Sequence, residues 1–219
     1  MTAPGRVLVV DDHPLVGTAL VVALRARLVE AIRIPVGAPG EILAQARRHG
    51  PALVLLDLDL GAAGSGHDLV APLRALGCPV LIVTASRDLA LIAGAIARGA
   101  VGWVSKEEPF ERLLDLVAAA AAGKEVLSAK AREELLRVHE AGLARHTDLA
   151  RRVRRLSTRE REVLRQLAAG RSAADVAEAS RVSLVTVRAQ IRSILAKLDV
   201  RSQLGAVAVL NEAERTGLG

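Results

Sequence analysis

The chain has 219 residues, half of them apolar, enough for one large or two small domains with real cores. Trp103 and Phe110 are its only aromatic residues, so those cores must be built from Leu, Val, Ile and Ala; the single cysteine, Cys78, excludes an internal disulfide. The formal charge of +6 is uneven: residues 1–123 carry 11 Lys and Arg against 12 Asp and Glu, residues 124–219 carry 19 against 12, so a neutral front half and a basic rear half point to two domains, the second meeting a polyanion.

In chain order, residues 7–10 form a short β-branched run that ends in Asp11-Asp12. Pro14 suits the first turn of a helix over 15–28. A second strand is expected over 31–36, a turn at 37–40 and a helix over 41–49. Leu53-Val54-Leu55-Leu56 is an unbroken apolar run, the pattern of a strand buried on both faces, and it ends in Asp57. A loose glycine-rich loop, 61–66, leads to a helix over 67–76. Residues 80–83 make a strand that ends at Thr84, 88–98 a helix, 101–104 a strand that ends at Ser105-Lys106, and 109–123 a helix opened by proline and closed by glycine. Five strand-helix units in succession predict an α/β domain, a doubly wound, five-stranded parallel sheet with helices on both faces. No apolar run reaches about 18 residues and no amino-terminal signal is present, so a cytoplasmic protein without a membrane partner is expected.

The strand ends decide the chemistry. Asp11 and Asp12 close the first strand, Asp57 the third, Thr84 the fourth and Lys106 the fifth, and a parallel sheet gathers all of these on one edge. Three carboxylates in one cleft repel each other, and a hard divalent cation relieves that repulsion; oxygen ligands without a His or Cys cluster favour Mg2+. Magnesium readily shares a phosphate, Lys106 can offset the charge that phosphate brings, and Thr84 can donate to a phosphoryl oxygen. Asp57, at the centre, is the candidate nucleophile for an aspartyl-phosphate.

This constellation resembles the receiver domain of two-component response regulators over about residues 5–123. The resemblance implies phosphorylation of Asp57 by a sensor histidine kinase or a small phosphodonor. It implies that Asp12 and Asp57 coordinate magnesium directly, Asp11 through water, and Asp59 through its backbone carbonyl. Thr84 and Trp103 would form the switch, the ring turning inward as Thr84 moves toward the phosphate. Leu60-Gly61 stands where the family usually has Met-Pro, so a longer, more mobile loop is expected there.

Residues 124–155 hold nine Lys and Arg against five Asp and Glu. A helix is expected over 129–149, followed by a basic run, 151–155, in a linker. The last 64 residues, 156–219, read as an all-α domain of four helices. Ser157 or Thr158 caps the first, Ser172 opens the second, Ser183 caps the third, and 201–212 form the fourth. Two helices joined by a tight turn, the second basic, make a helix-turn-helix. Ser183, Thr186, Val187, Arg188, Gln190, Arg192 and Lys197 are its candidate DNA-binding residues. Leu156, Thr158-Arg159-Glu160, Val163-Leu164, Gly170, Ala177, Ser183, Thr186-Val187, Ile194, Lys197-Leu198, Val200 and Ser202 resemble the LuxR-type helix-turn-helix. Arg188, Gln190 and Gln203 stand where Lys, His and Arg are frequent.

The two resemblances in this order match the NarL/FixJ-type response regulators and imply a transcription factor that binds DNA as a homodimer under control of Asp57. A rival class remains. Leu55-Leu56-Asp57-Leu58-Asp59 also resembles the first motif of haloacid-dehalogenase-type phosphatases, magnesium enzymes that use an aspartyl-phosphate. That motif normally lies near the amino terminus, its final acidic pair would have to be Glu107-Glu108, and residues 156–219 go unexplained. A further reading keeps DNA binding but makes it independent of phosphorylation.

Overall fold

The computed structural model describes residues 5–217, which divide into two compact units, one ending at Glu140 and the other beginning at Ala141. In the first unit, strands β1 (Val7–Val10), β2 (Ala31–Arg33), β3 (Leu53–Leu56), β4 (Val80–Thr84) and β5 (Gly102–Ser105) form one parallel sheet in the order β2-β1-β3-β4-β5. Helices α1 (Pro14–Ala26), α2 (Pro39–His49), α3 (Val70–Ala75), α4 (Leu89–Ala97) and α5 (Phe110–Ala121) connect and follow the strands.

The pleat explains the unbroken apolar runs. Leu8, Val10, Val54, Leu56, Val80 and Ile82 face one layer, where they meet Ile42 of α2, Leu73 of α3 and Ile92 of α4. Val7, Val9, Leu53, Leu55, Leu81 and Val83 face the other, against Leu20 and Leu24 of α1 and Leu113 and Val117 of α5. The inner strands β1 and β3 therefore carry an apolar residue at every position, and β4 at all but its last. β3 lies at the centre, and its register with β1, Val10 opposite Leu56, brings Asp11 and Asp57 to the same edge.

In the first unit, β2 and the helix expected over 67–76 differ most from expectation, and α2 begins two residues early, at Pro39. β2 stops at Arg33, not at residue 36, because Pro35 has no N–H to continue the ladder. The helix expected over 67–76 is a 3-10 turn, Gly66–Leu69, followed by the short α3; another 3-10 turn occupies Gly61–Ala63. The loop between them is a built structure. Leu60 N donates to Gly64 O at 3.1 Å and Gly66 N to Leu58 O at 2.9 Å. A Cβ at position 66 would run into the Asp57 carbonyl oxygen, so glycine is required for this loop to lie against the end of β3.

α6 (Ala129–Arg154) extends past residue 149, because Leu149 and Val153, four residues apart, are both buried in the second unit's core. The basic run at 151–155 is therefore mostly the end of a helix. Its Arg152 donates to Leu198 O at 3.2 Å. Earlier in α6, Leu135 joins the first unit's core and Arg132 donates to Ala100 O and Val101 O at 3.3 and 2.8 Å.

The second unit contains α7 (Thr158–Ala168), α8 (Ala173–Ser180), α9 (Leu184–Leu198) and α10 (Gln203–Arg215). Ser157, Ser172, Ser183 and Ser202 each accept from a backbone N–H two or three residues into the helix that follows. α10 starts two residues later than expected because Ser202 supplies its cap. Among the described residues no helix is long and apolar enough to cross a membrane.

Candidate functional site

The sheet edge of the first unit holds Asp11, Asp57 and Thr84, 2, 3 and 1% exposed. Lys106, from the residue after β5, reaches back over them: its Nζ lies 2.6 Å from Asp57 Oδ2 and 2.7 Å from Asp11 Oδ2. Asp57 Oδ1 accepts from Asp59 N at 3.2 Å. Thr84 Oγ1 accepts from Ser86 N at 3.1 Å. Burial pushes the Asp57 carboxyl up, against the opposing pull of Lys106. Burial works the other way on Lys106, but its hydrogen bonds to Asp11 and Asp57 outweigh it and the ammonium is held above its ordinary range. Asp57, Thr84 and Lys106 line a cavity of about 600 Å³, together with His13, Ala85 and Ser86.

Asp12 completes the acidic group. One donor atom from each of Asp11, Asp12, His13 and Asp57 lies within 4.8 Å of the others. Asp12 Oδ1 is buried, and no donor reaches it with hydrogen-bond geometry. A buried carboxylate oxygen with an unsatisfied lone pair, beside two further carboxylates, fits a hard divalent cation. His13 was not among the residues singled out from the sequence, although its position beside Asp11-Asp12 was the available signal. Asp59 is exposed, and its carboxylate accepts from Gly61 N at 3.0 Å. Trp103, on β5, is half-buried and lines a separate cavity of about 570 Å³ with Ser86, Ile92 and Pro109.

In the second unit, α8 and α9 are joined by Arg181-Val182-Ser183, with Arg181 in the left-handed region at φ 54°. α9 buries Val187, Ile191, Ile194 and Leu198. Its opposite face shows Val185, Thr186, Arg188, Ala189 and Arg192 to solvent. Among the described residues, neither Arg188 nor Arg192 has a carboxylate partner, which leaves two guanidinium groups free on one helix face. Glu160 ties α7 to α9: it accepts from Lys197 Nζ at 2.8 and 2.6 Å on its two oxygens, from Ser193 Oγ at 2.7 Å and from Ser157 N at 2.7 Å. Burial alone would raise its pKa, but these donors bring it down to about 2.

Residues 7–118 match the family described as response regulator receiver domain, and residues 154–210 match bacterial regulatory proteins of the luxR family. A nitrate/nitrite response regulator protein homolog of Haemophilus influenzae is 32% identical over 96% of this chain and 98% of its own length. The nitrate/nitrite response regulator protein NarP of Escherichia coli is 31% identical over 93% of each chain. The chain belongs to the response regulators that join a receiver domain to a LuxR-type helix-turn-helix. Among solved structures, a LuxR-family two-component response regulator from Aurantimonas sp. SI85-9A1 superposes with a TM-score of 0.52 at 25% identity, over 60% of this chain and 94% of that one. RcsB of Salmonella enterica serovar Typhimurium, bound to a promoter in the presence of a phosphomimetic, shares the fold with a TM-score of 0.52 at 22% identity, over 94% and 98% of the two chains. This response regulator is thus a transcription factor with a DNA-binding domain, and the phosphatase reading is not favoured.

Two of its candidate DNA-binding residues need correction. Val187 is fully buried in the second unit's core, so it packs α9 rather than reading a base. Lys197 is engaged by Glu160 within its own unit, so its charge holds the fold together. Gln190 is half-buried, with its Oε1 enclosed and without a partner. Ser183 Oγ serves as the α9 cap and lies 2.8 Å from Thr186 Oγ1. Val185 and Ala189 share the exposed face with Arg188 and Arg192, all four falling between the buried positions of α9 at spacings of three and four.

Proposed function

We propose that a sensor histidine kinase phosphorylates Asp57 of this response regulator and that the phosphoryl group sets the DNA affinity of the second unit, with residues 124–155 as the connection. The observation that carries this reading is a buried carboxylate on the floor of an open cavity, gripped by one ammonium group and under-supplied with other donors. Asp57 attacks phosphorus, the bond to the donor's leaving group breaks, and about 1.5 to 2 negative charges enter the pocket. Lys106 exchanges its carboxylate partners for a phosphoryl oxygen, and Thr84 turns its hydroxyl from Ser86 N to another. Asp11, Asp12, Asp57 and the Asp59 carbonyl would hold Mg2+, which supplies the positive charge that lets an anionic phosphoryl group approach three carboxylates.

The cavity beside Trp103 gives the indole room to turn inward when Thr84 moves. The α9 face carrying Thr186, Arg188 and Arg192 then meets DNA in the major groove, two copies binding as a homodimer on two half-sites. Beryllofluoride with Mg2+ tests the switch. Trp103 is the only Trp and the chain has no Tyr, so its emission reports one site. A saturable change is expected in the wild type and none in Asp57→Asn. No change in the wild type, with Mg2+ binding measured separately, would refute the Trp103 switch.

A further inference from the structure

The imidazole of His13 lies inside the acidic group, and the phosphorylation chemistry above leaves it without a task. Its Nδ1 is 2.7 Å from Asp12 Oδ1 and 3.5 Å from Asp11 Oδ1. The approach to Asp12 lacks hydrogen-bond geometry, which leaves Asp12 Oδ1 without a donor. Asp11 Oδ1 accepts the backbone N–H of His13 at 2.8 Å, while Lys106 takes the other oxygen, Oδ2. The two oxygens nearest the imidazole are therefore ones that Lys106 does not hold.

These separations have a meaning in coordination chemistry. Neighbouring donors around an octahedral ion at about 2.1 Å stand about 3.0 Å apart, and opposite donors about 4.2 Å. The two His13 distances straddle the first value. The whole set, confined within 4.8 Å, spans little more than the second. The His13 side chain is 61% exposed, so it can adjust without disturbing the core.

We propose that His13 is a nitrogen donor to the divalent ion of this site, which makes it a mixed oxygen–nitrogen site with a preference for later first-row ions such as Co2+ and Ni2+. The inference rests on the reading of Asp11, Asp12 and Asp57 as a metal site. Magnesium gains little from an imidazole, whereas Co2+ and Ni2+ gain strongly. The discriminating quantity is how the Ni2+-to-Mg2+ selectivity changes when the imidazole is removed, since an all-oxygen site already binds Ni2+ more tightly.

The experiment measures binding of Ni2+ and Mg2+ to the full chain by equilibrium dialysis, in wild type, His13→Ala and Asp12→Asn. Bound Mn2+ is examined in parallel by electron spin-echo spectroscopy for coupling to a coordinated nitrogen. In His13→Ala the Ni2+ dissociation constant should rise about tenfold or more, while that for Mg2+ changes less than about threefold. The nitrogen signal of the wild type should vanish. Asp12→Asn should remove the site altogether, which separates it from metal held by His49, His67, His139 or His146. If Asp12→Asn leaves metal binding untouched, the metal reading fails and the inference with it. If Asp12→Asn abolishes binding but His13→Ala keeps the selectivity and the wild type shows no nitrogen coupling, His13 is only a counter-charge to the carboxylates, and the inference alone is overturned.

Discussion

Each unit of this protein contains a carboxylate gripped by a lysine at nearly the same distance, yet the two carboxylates are supplied with donors very differently. Lys106 lies 2.6 Å from Asp57 in the first unit, and Lys197 lies 2.6 Å from Glu160 in the second. Glu160 is saturated: Ser157 N, Ser193 Oγ and two contacts from Lys197 supply its oxygens, and its pKa falls to about 2. Asp57 has Lys106 and one long bond from Asp59 N, and burial prevails so that its pKa rises. A carboxylate whose lone pairs are all spoken for is a structural clamp. One that is buried and short of donors remains available to a metal ion and to phosphorus. Ion-pair distance alone does not tell these apart; the number of donors does.

The largest effect should come from the under-supplied member. Asp57→Asn should abolish both phosphoryl transfer from a small phosphodonor, read by intact mass, and the response of DNA binding to that donor. The fold should survive, because Asn preserves the shape of the side chain. Glu160→Gln should act in the reverse sense. It removes the charge that Lys197 needs and one of the acceptors used by Ser157 and Ser193, and should destabilise the second unit by about 2–4 kcal/mol in denaturant unfolding. A fall below about 0.5 kcal/mol would mean that the clamp is ornamental.

The pH dependence sharpens the same contrast. The Glu160 pKa is depressed in the folded chain from an ordinary value of 4.5 to about 2. Its contribution is therefore fully present above pH 4.5 and is lost as pH falls toward 2. Up to about 2–3 kcal/mol should disappear across that window, the partial exposure of Lys197 having been allowed for. The same fall should be missing from Glu160→Gln. Smaller still are the surface changes. Arg188→Ala and Arg192→Ala should leave stability alone and each flatten the log–log salt dependence of DNA binding by about 0.9 where the guanidinium meets a phosphate. Lys197→Ala should instead lower stability. Ser157→Ala should cost about 1 kcal/mol of second-unit stability through loss of the α7 cap.

The same comparison shows what could be read from the chain alone. The site of the first unit was legible because β1, β3 and β4 are apolar runs that end at or beside a functional residue, and Lys106 follows β5 directly, so strand ends and chemistry coincide at Asp11, Asp57, Thr84 and Lys106. The limit of β2 was less so, since Ile34-Pro35-Val36 continues the apolar pattern and only the missing N–H of Pro35 ends the strand. The segment between Gly61 and Ala75 escaped because its turns are held by backbone hydrogen bonds and by the close approach of Gly66 to the Asp57 carbonyl, neither of which leaves a periodic trace. In the second unit the caps Ser172 and Ser183 were plain and the first was narrowed to Ser157 or Thr158, whereas the Ser202 cap of α10 was missed. The role of Lys197 was not, because its partner lies 37 residues away and a lone Lys near the end of a basic helix reads as surface charge. Val187 was open to correction from spacing alone: it falls four residues before Ile191 on the buried stripe of α9.

The central claim is that the under-supplied carboxylate of the first unit controls the exposed cationic face of the second. The most direct measurement is the affinity of the full chain for a DNA fragment carrying its binding site, at one fixed salt concentration, with and without a small phosphodonor and Mg2+, in wild type and Asp57→Asn. The account predicts that phosphorylation shifts the wild-type affinity at least tenfold and leaves Asp57→Asn unmoved. Equal affinity in both states of a wild-type protein shown by mass to be phosphorylated would contradict it and leave a DNA-binding protein whose receiver does not govern its output.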